Sequence, residues 1–232
     1  MNLVKYIAAC GIASRRQSET LIRSGAVKVN KVTEHNPARQ VEPEDIVTVN
    51  GELCQAPEQY FYILLNKPRG FVCSNADRHA GGQLAVNLIA LPGVKLVSAG
   101  RLDKESEGAI IFSNDGNFIN LLAHPRYGII KTYIVETAKE LKPDFMQQMK
   151  QGVRDGGEML RVKDITQLGT KRYRILLNEG KKREIRRLTA RGNAPTVRLT
   201  RVAIGDVTLG KLPLGKWREL SKAEVESFLA QA

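Results

Sequence analysis

Residues 100–116 of the 232-residue chain read GRLDKESEGAIIFSNDG. The strand-like stretch Lys95–Ala99 leads into Gly100, and Asp103 then opens a polar turn. A second apolar run, Ala109–Phe112, predicts a strand after that turn. The pattern therefore places a carboxylate in a loop at the end of a strand, a common position for catalytic groups. The alternative interpretation is an aspartate that stabilises a turn and forms a surface ion pair with a neighbouring arginine.

Short strand-like runs alternate irregularly with short helical patterns on both sides of this segment. Because several strands follow one another directly, the pattern favours an α+β fold with a mixed or antiparallel sheet. The expected strands are Tyr60–Leu65 (breaking at 66–70), Val94–Ala99, Ala109–Phe112, Ile129–Glu136, Tyr173–Leu177 and Val197–Ile204. The expected helices are Leu84–Ile89, Asn117–His124, Pro143–Met149, Lys182–Arg191 and Ala223–Ala230.

The N-terminal part predicts a separate small module of two helices and short strands. Ser14, with Gln17 three residues later, forms a capping-box pattern at the start of the second helix. Asn50 and Gly51 are typical of a tight β-hairpin turn. A polar, patternless stretch then indicates a linker. The predicted division is a module over 1–54, a linker over 55–60 and a larger domain over 61–232.

The charge of the chain is strongly positive and unevenly distributed. Its formal net charge is +12. Residues 1–54 hold seven Lys/Arg and six Asp/Glu, whereas residues 161–218 hold sixteen Lys/Arg and four Asp/Glu. A basic surface built into a folded pattern indicates a polyanionic partner, with nucleic acid first and an anionic membrane surface second.

Cysteine and histidine usage gives no indication of a metal site. The chain holds three cysteines and three histidines, and no pair of cysteines has the CxxC spacing of a zinc site. So few cysteines are typical of a reducing compartment. We see no secretory segment and no apolar run approaching eighteen residues. A cytoplasmic protein without a membrane partner is therefore expected.

Several motifs carry a resemblance to one known family. The segment 100–116 resembles the active-site motif of bacterial ribosomal RNA pseudouridine synthases of the RsuA/RluB/RluF type. LNKPRG (65–70), HPRYGIIKTYIVE (124–136) and EGKKREIRRL (179–188) are similar to further motifs of that family, in the same order. SRRQSETLIRSGAVKVN (14–30) resembles the RNA-binding domain named after ribosomal protein S-four. The resemblance spans nearly the whole chain and implies a small α/β RNA-binding module followed by a synthase domain with a mixed or antiparallel sheet.

The resemblance also implies a reaction and catalytic residues. The N1–C1′ bond of a uridine is broken, and the base is turned and rejoined through C5, without a metal or another cofactor. Asp103 matches the nucleophile, and Arg186 matches a cationic partner that would keep this carboxylate charged against the effect of burial. Tyr133 matches a tyrosine that stacks on the base, although a strand tyrosine in the core is the plainer interpretation. Ile185 matches the residue under the other face of the base; by pattern alone it is a core residue.

Further residues are expected to contact RNA. Arg101 matches a residue that helps to displace the target nucleotide, and a phosphate contact is the alternative. The chain departs from many relatives at Lys31, where they have a glycine, and this changes the turn chemistry of the first domain. The other expected contacts are Lys67, Lys182, Arg183 and Arg187 in the second domain and Arg15, Arg16 and Lys28 in the first.

The expected substrate is ribosomal RNA, either free or in a subunit precursor, and the expected state is a monomer. We favour large-subunit RNA, with small-subunit RNA as the alternative. A non-catalytic RNA-binding or ribosome-assembly factor is a second function class, but the intact Gly-Arg-Leu-Asp and Lys-Thr-Tyr motifs favour an enzyme. A lipid-surface protein is disfavoured because no helix shows a large apolar face opposite a basic one.

Overall fold

The computed structural model describes residues 1–55, 57–74 and 83–231. No helix in this part of the chain is long and apolar enough to cross a membrane. Residue 56, within the expected linker, lies outside the described residues, and the expected domain boundaries stay a prediction. The chain forms two compact units. The first contains Met1–Phe61, Leu91–Lys95 and Asn114–Gly116, and the second contains Tyr62–Ala90, Leu96–Ser113 and Asn117–Ala232.

The first unit packs two helices against a small antiparallel sheet. Its elements are α1 (Leu3–Ala9), α2 (Arg15–Arg23), β1 (Val27–Val29), β2 (Val32–Thr33), β3 (Val47–Val49) and β4 (Glu52–Leu53). The strand order is β2-β1-β3-β4. The expected capping box is confirmed, because the Gln17 amide donates to Ser14 Oγ and the Ser14 amide donates to the Gln17 side chain. Fully buried side chains, among them Ile7, Ile22 and Val47, form the core.

Two tight turns of this unit use left-handed backbone conformations. Asn50 and Gly51 have φ values of 51° and 87°, and they join β3 to β4 as the sequence predicted. Asn30 and Lys31 have φ values of 52° and 70° between β1 and β2. Asparagine tolerates this region, whereas lysine adopts it with strain. The residue that departs from many relatives is therefore placed where a glycine would be relaxed.

The second unit is built on a large mixed sheet. The path of the sheet is β11-β12-β8-β13-β7-β5-β15, with β6 beside β7 and β14 beside β13. Each of these neighbouring pairs is antiparallel except β13 with β7. The predicted α+β fold with a mixed sheet is confirmed. The strands are β5 (Tyr62–Lys67), β6 (Val97–Ser98), β7 (Glu107–Ser113), β8 (Lys131–Thr137), β9 (Val153–Asp155), β10 (Glu158–Leu160), β11 (Asp164–Gly169), β12 (Arg172–Leu177), β13 (Thr196–Ile204), β14 (Val207–Thr208) and β15 (Trp217–Glu219).

Helices complete this unit and cover one face of the sheet. Phe118 of α3 and Phe228 of α6 pack in one hydrophobic core with Ile111 of β7. Because alternate residues of a strand point to opposite faces, Gly108 and Ile110 belong to the other face. The helices are α3 (Gly116–Ala123), α4 (Pro143–Gln151), α5 (Glu184–Arg191) and α6 (Lys222–Leu229), with 3₁₀ turns at Ala85–Leu88 and Pro125–Tyr127.

Some expected elements differ from those observed. The strand expected over Tyr60–Leu65 is shifted by two residues, because β5 runs from Tyr62 to Lys67 and ends within the expected break at 66–70. The ammonium of Lys67 is satisfied by nearby carbonyls. The strand expected over Val94–Ala99 is reduced to the two residues of β6. The helix expected over Leu84–Ile89 is a single 3₁₀ turn. The hairpin of β9 and β10 and the strand β11 were not expected, since their residues show no clear alternation.

Candidate active site

A row of directly opposed residues crosses the central strands of the sheet. Tyr133 of β8 lies opposite Arg201 of β13, which lies opposite Gly108 of β7, which lies opposite Lys67 of β5. We call these four residues the cross-strand row. Directly opposed residues project to the same face, so the row lies on the face away from α3 and α6. A tyrosine and two cationic side chains are thus placed together.

Gly108 makes this arrangement possible. It has a φ of 110°, and a Cβ atom at this position would lie 2.2 Å from the carbonyl oxygen of Arg201. That separation is far inside van der Waals contact. Only glycine therefore allows β7 and β13 to pair in parallel at this point of the row.

Asp103 lies in a loop (residues 101–106) between β6 and β7. Its carbonyl accepts a hydrogen bond from the Ser106 amide at 3.0 Å, which closes the turn. The amide of Gly70 donates to the carbonyl of Lys104 at 2.8 Å and ties the loop to the end of β5. The Asp103 side chain keeps 33% of its surface exposed. A carboxylate held by a fixed turn and open to solvent is thus available to a ligand.

Arg186, on α5, faces this carboxylate. Its Nε lies 4.0 Å from Asp103 Oδ2, which is an ion-pair distance but not a hydrogen bond. Its Nη2 donates to the Glu105 carbonyl at 3.2 Å and to Ser106 Oγ at 3.3 Å. Burial is the main cause that lowers the pKa of Arg186, and its Nε is buried without a hydrogen-bond partner. The structure therefore brings Arg186 and Asp103 together, with one N–H of the arginine unused.

A second arginine approaches the same loop. Arg183 precedes α5 with a φ of 55°, and its Nη1 lies 2.8 Å from Glu105 Oε2 and 3.9 Å from Asp103 Oδ2. The hydrogen bond between the two side chains raises the pKa of Arg183 and lowers that of Glu105. Arg183 was expected to bind RNA. Here it is paired to the loop, with 42% of its side chain still exposed.

Tyr133 and Ile185 are both buried, with 8% and 3% of their surface exposed. Arg201 is the immediate polar neighbour of Tyr133: its Nη1 lies 3.5 Å from the phenol oxygen, and its Cζ lies 6.0 Å from the ring centroid. The Arg201 Nε donates to the carbonyl of Ala109 at 2.6 Å, and its Nη2 is buried without a hydrogen-bond partner. Tyr133 is therefore not an exposed aromatic platform in this structure.

Lys67 is completely buried, although it was expected to contact substrate. Its Nζ donates to the carbonyls of Pro68 at 2.9 Å and Phe71 at 3.0 Å. Burial is the largest cause that lowers the pKa of its ammonium, and the charge of Asp103 raises this pKa. In this structure Lys67 supports the turn after β5, and a direct contact with RNA stays a prediction.

Arg187, also on α5, points to the β9–β10 hairpin. It donates from Nε to Asp155 Oδ2 at 2.6 Å and from Nη1 to Glu158. The structure does not place its guanidinium against Asp103, so its expected role in RNA binding stays a prediction. Lys182 is exposed at the start of the same segment.

The remaining expected contacts are exposed. Arg101 lies two residues before Asp103, with its side chain open to solvent. In the first unit, Arg15 and Arg16 are exposed in the first turn of α2, and Lys28 is exposed in the middle of β1. The exposure of these four residues is compatible with contacts to RNA.

Three residues that organise the site, Glu105, Glu107 and Arg201, were not predicted as site residues from the sequence. Glu105 orders Arg183, and Arg201 borders Tyr133. Glu107, almost fully buried, accepts from Arg198 and Thr200. The only indication in the sequence was that Glu105 and Glu107 closely follow Asp103. Nothing in the sequence shows that Arg201 is opposite Tyr133, because that requires the sheet register.

Comparison with known proteins identifies the family. The profile described as RNA pseudouridylate synthase matches residues 61–191, and the profile of the S4 domain matches residues 1–47. The chain is 34% identical over 230 residues to an uncharacterized RNA pseudouridine synthase of Aquifex aeolicus, covering 95% of this chain and 90% of that protein. The chain belongs to the RNA pseudouridylate synthase family. The resemblance found in its motifs is thereby confirmed.

Other relatives agree with this assignment. The synthase is 32% identical to ribosomal large subunit pseudouridine synthase B of Bacillus subtilis, with 99% of this chain and 96% of the relative covered. It is also 32% identical to the dual-specificity RNA pseudouridine synthase RluF of Escherichia coli, with 97% and 77% covered. A crystal structure of a pseudouridylate synthase superposes with a TM-score of 0.72 at 29% identity, covering 98% of this chain and 99% of that one. The protein is an RNA pseudouridine synthase with an N-terminal S4 domain.

Proposed function

We propose that this synthase isomerises a uridine of ribosomal RNA, preferably of the large subunit, and that Asp103 is its nucleophile. The observation that carries the proposal is the 4.0 Å approach of Arg186 Nε to the Asp103 carboxylate in a fixed, solvent-accessible loop. The preference for the large subunit rests on the name of the Bacillus subtilis relative, ribosomal large subunit pseudouridine synthase B. Small-subunit RNA remains the alternative substrate.

The target base must leave its stack to reach such a site. In the proposed mechanism Arg101 fills the vacated position or holds the adjacent phosphate. Tyr133 and Ile185 then lie on the two faces of the uracil, which requires the Tyr133 ring to become accessible when RNA binds.

Asp103 next attacks C1′ of the bound nucleotide, so that an O–C1′ ester bond forms as the N1–C1′ bond breaks. After the base has turned, the C5–C1′ bond forms as the ester bond breaks and frees Asp103; C5 loses its proton and N1 gains one, so the reaction is balanced without a co-reactant. Arg186 stabilises the carboxylate charge before the attack. The unused N–H of Arg186 is available to follow the carboxylate as it moves.

The test is pseudouridine formation on ribosomal RNA lacking the modification, with each modified position mapped. Wild-type protein should form product at a defined uridine, and Asp103→Asn should form none. Asp144→Asn, which changes an exposed aspartate of α4, is the matched control and should retain activity.

The same assay separates the alternatives. Product in small-subunit RNA alone would change the assigned substrate and keep the chemistry. No product from wild type on free RNA and on immature subunits would favour the non-catalytic assembly factor. We further propose a cytoplasmic monomer; a sedimentation measurement with and without RNA tests the oligomeric state.

A further inference from the structure

A buried carboxylate beside the active-site loop holds two arginines at the surface. Glu107, the first residue of β7, has only 6% of its side chain exposed. Its Oε1 accepts from Arg198 Nε at 2.5 Å and from Thr200 Oγ1 at 2.9 Å. Arg69 Nε lies 3.9 Å from its Oε2.

One arginine would be enough to neutralise this carboxylate. Two are present, and they keep 47% (Arg69) and 52% (Arg198) of their side chains exposed. Glu136 lies directly opposite Arg198 on β8 and also acts on its charge. The pair therefore offers a ligand exposed guanidinium donors and not an excess of charge.

The orientation of both guanidinium groups points to a ligand. Each turns its Nε toward Glu107, so that the terminal nitrogens are directed away from the carboxylate. Arg69 Nη2 donates to the Val197 carbonyl at 2.7 Å, and no hydrogen bond from the terminal nitrogens of Arg198 is found within the described residues. Arg198 is therefore held through its Nε and Arg69 through its Nη2, and the donors that each leaves over match the oxygens of a phosphate.

This pair lies near Asp103. The residue after Arg69, Gly70, donates to the carbonyl of Lys104 at 2.8 Å. Glu107 follows Asp103 by four residues, so its Cα lies within about 14 Å of that of Asp103. An RNA strand with a nucleotide at Asp103 therefore has neighbouring phosphates within reach of the pair.

We propose that Arg69 and Arg198 bind backbone phosphates of the nucleotides that flank the target uridine, with Glu107 as the residue that positions both guanidinium groups. This inference rests on the proposed function for the place of the uridine. The contacts hold the strand in register without reading its sequence, because phosphates carry no base information.

The experiment measures binding of the full-length protein to unmodified large-subunit ribosomal RNA as a function of salt. Arg69→Gln is the principal variant, because Glu107 then keeps Arg198 and Thr200 as partners. Removing one phosphate contact should reduce the slope of log affinity against log salt by about 0.7 to 0.9. The corresponding loss of affinity is about fivefold at 0.15 M salt.

Arg198→Gln alone leaves the buried carboxylate with a weaker partner set and endangers folding. The double variant Glu107→Gln/Arg198→Gln removes both charges and keeps the net charge of the chain. It should reduce the slope by at least as much as Arg69→Gln, because Arg69 also loses the carboxylate that positions it. Lys222→Gln is the matched control and should leave the slope unchanged, since Lys222 is 91% exposed at the start of α6 and follows β15, which lies across β5 from the end of β7 away from Glu107.

Fragments carrying the mapped uridine and one uncharged methylphosphonate linkage locate the contact. At the phosphate bound by Arg69, the methylphosphonate should weaken wild type but add no further loss in Arg69→Gln. An unchanged slope in Arg69→Gln and in the double variant, or an equal loss in Lys222→Gln, would overturn the inference. A reduced slope with a wild-type protein that forms no product would instead contradict the proposed function and leave the phosphate contacts supported.

Discussion

Replacement of Arg186 by glutamine tests the electrostatic basis of the proposed site. At the observed 4.0 Å, one pair of unit charges interacts by about 4 kcal/mol with an effective dielectric constant of 20 and by about 1 kcal/mol in bulk water. The Asp103 side chain is one-third exposed and that of Arg186 only 13% exposed, so the interaction lies between these limits.

The kinetic consequence follows from that range. Each 1.36 kcal/mol corresponds to about a tenfold change in rate. If the interaction serves the attack by Asp103, Arg186→Gln should lower the single-turnover rate by about 5-fold to 1,000-fold. Arg186→Lys should recover part of the loss, because it keeps the charge but cannot make both hydrogen bonds to Glu105 and Ser106.

The assay is pseudouridine formation under single-turnover conditions with enzyme in excess over the mapped RNA. Arg191→Gln serves as the control, because Arg191 is on the same helix but pairs with Asp155. Unfolding by urea in parallel separates a loss of rate from a loss of fold. An Arg186→Gln protein that is folded and reacts at the wild-type rate would refute the electrostatic argument.

Two further predictions concern stability. Burial lowers the pKa of Lys131 to about 8 from its ordinary 10.5, so the protonated ammonium destabilises the fold below pH 8 and this effect disappears as the pH rises to about 10.5. Lys131→Met should therefore raise the free energy of unfolding at pH 7 by about 1–3 kcal/mol. In urea titrations the difference in stability between the variant and wild type should shrink by pH 10. A difference that stays constant with pH would contradict a cause in the charge of Lys131. Lys31→Gly should stabilise the first unit by about 1 kcal/mol, because glycine adopts the left-handed backbone of this turn without strain. Thermal unfolding measures the effect, and Lys28→Gly, which should destabilise β1, is the control. No gain in stability over wild type would show that the turn is unstrained.

Local signals predicted the elements that depend on local interactions. The capping box at Ser14 and the hairpin at Asn50 appear as expected, because each is formed within a few residues. The expected strand Ala109–Phe112 differs from the observed strand β7 by at most two residues at either end. The shift of β5 by two residues has a physical cause: Lys67 can stay in the strand because the folded turn supplies the two carbonyls that accept from its ammonium.

The site was less accessible to sequence reasoning. Family resemblance indicated Asp103 and Arg186, and the structure places their side chains within an ion-pair distance. No periodicity brings together residues separated by more than eighty positions. Arg201 escaped attention because an arginine in a strand normally indicates an exposed face, and its burial against Tyr133 depends on the register of β8 with β13.

The cross-strand row bears on the point during chain synthesis at which the enzyme can become active. Its members are spread from Lys67 to Arg201, and β7 receives its parallel neighbour β13 only after the intervening strands have been synthesised. A nascent chain that ends before Arg201 therefore lacks the strand that joins Tyr133 to Gly108, however well its earlier segments have folded. We expect catalytic competence only after synthesis has passed Arg201, and shorter partial chains should not modify the RNA that surrounds them during translation.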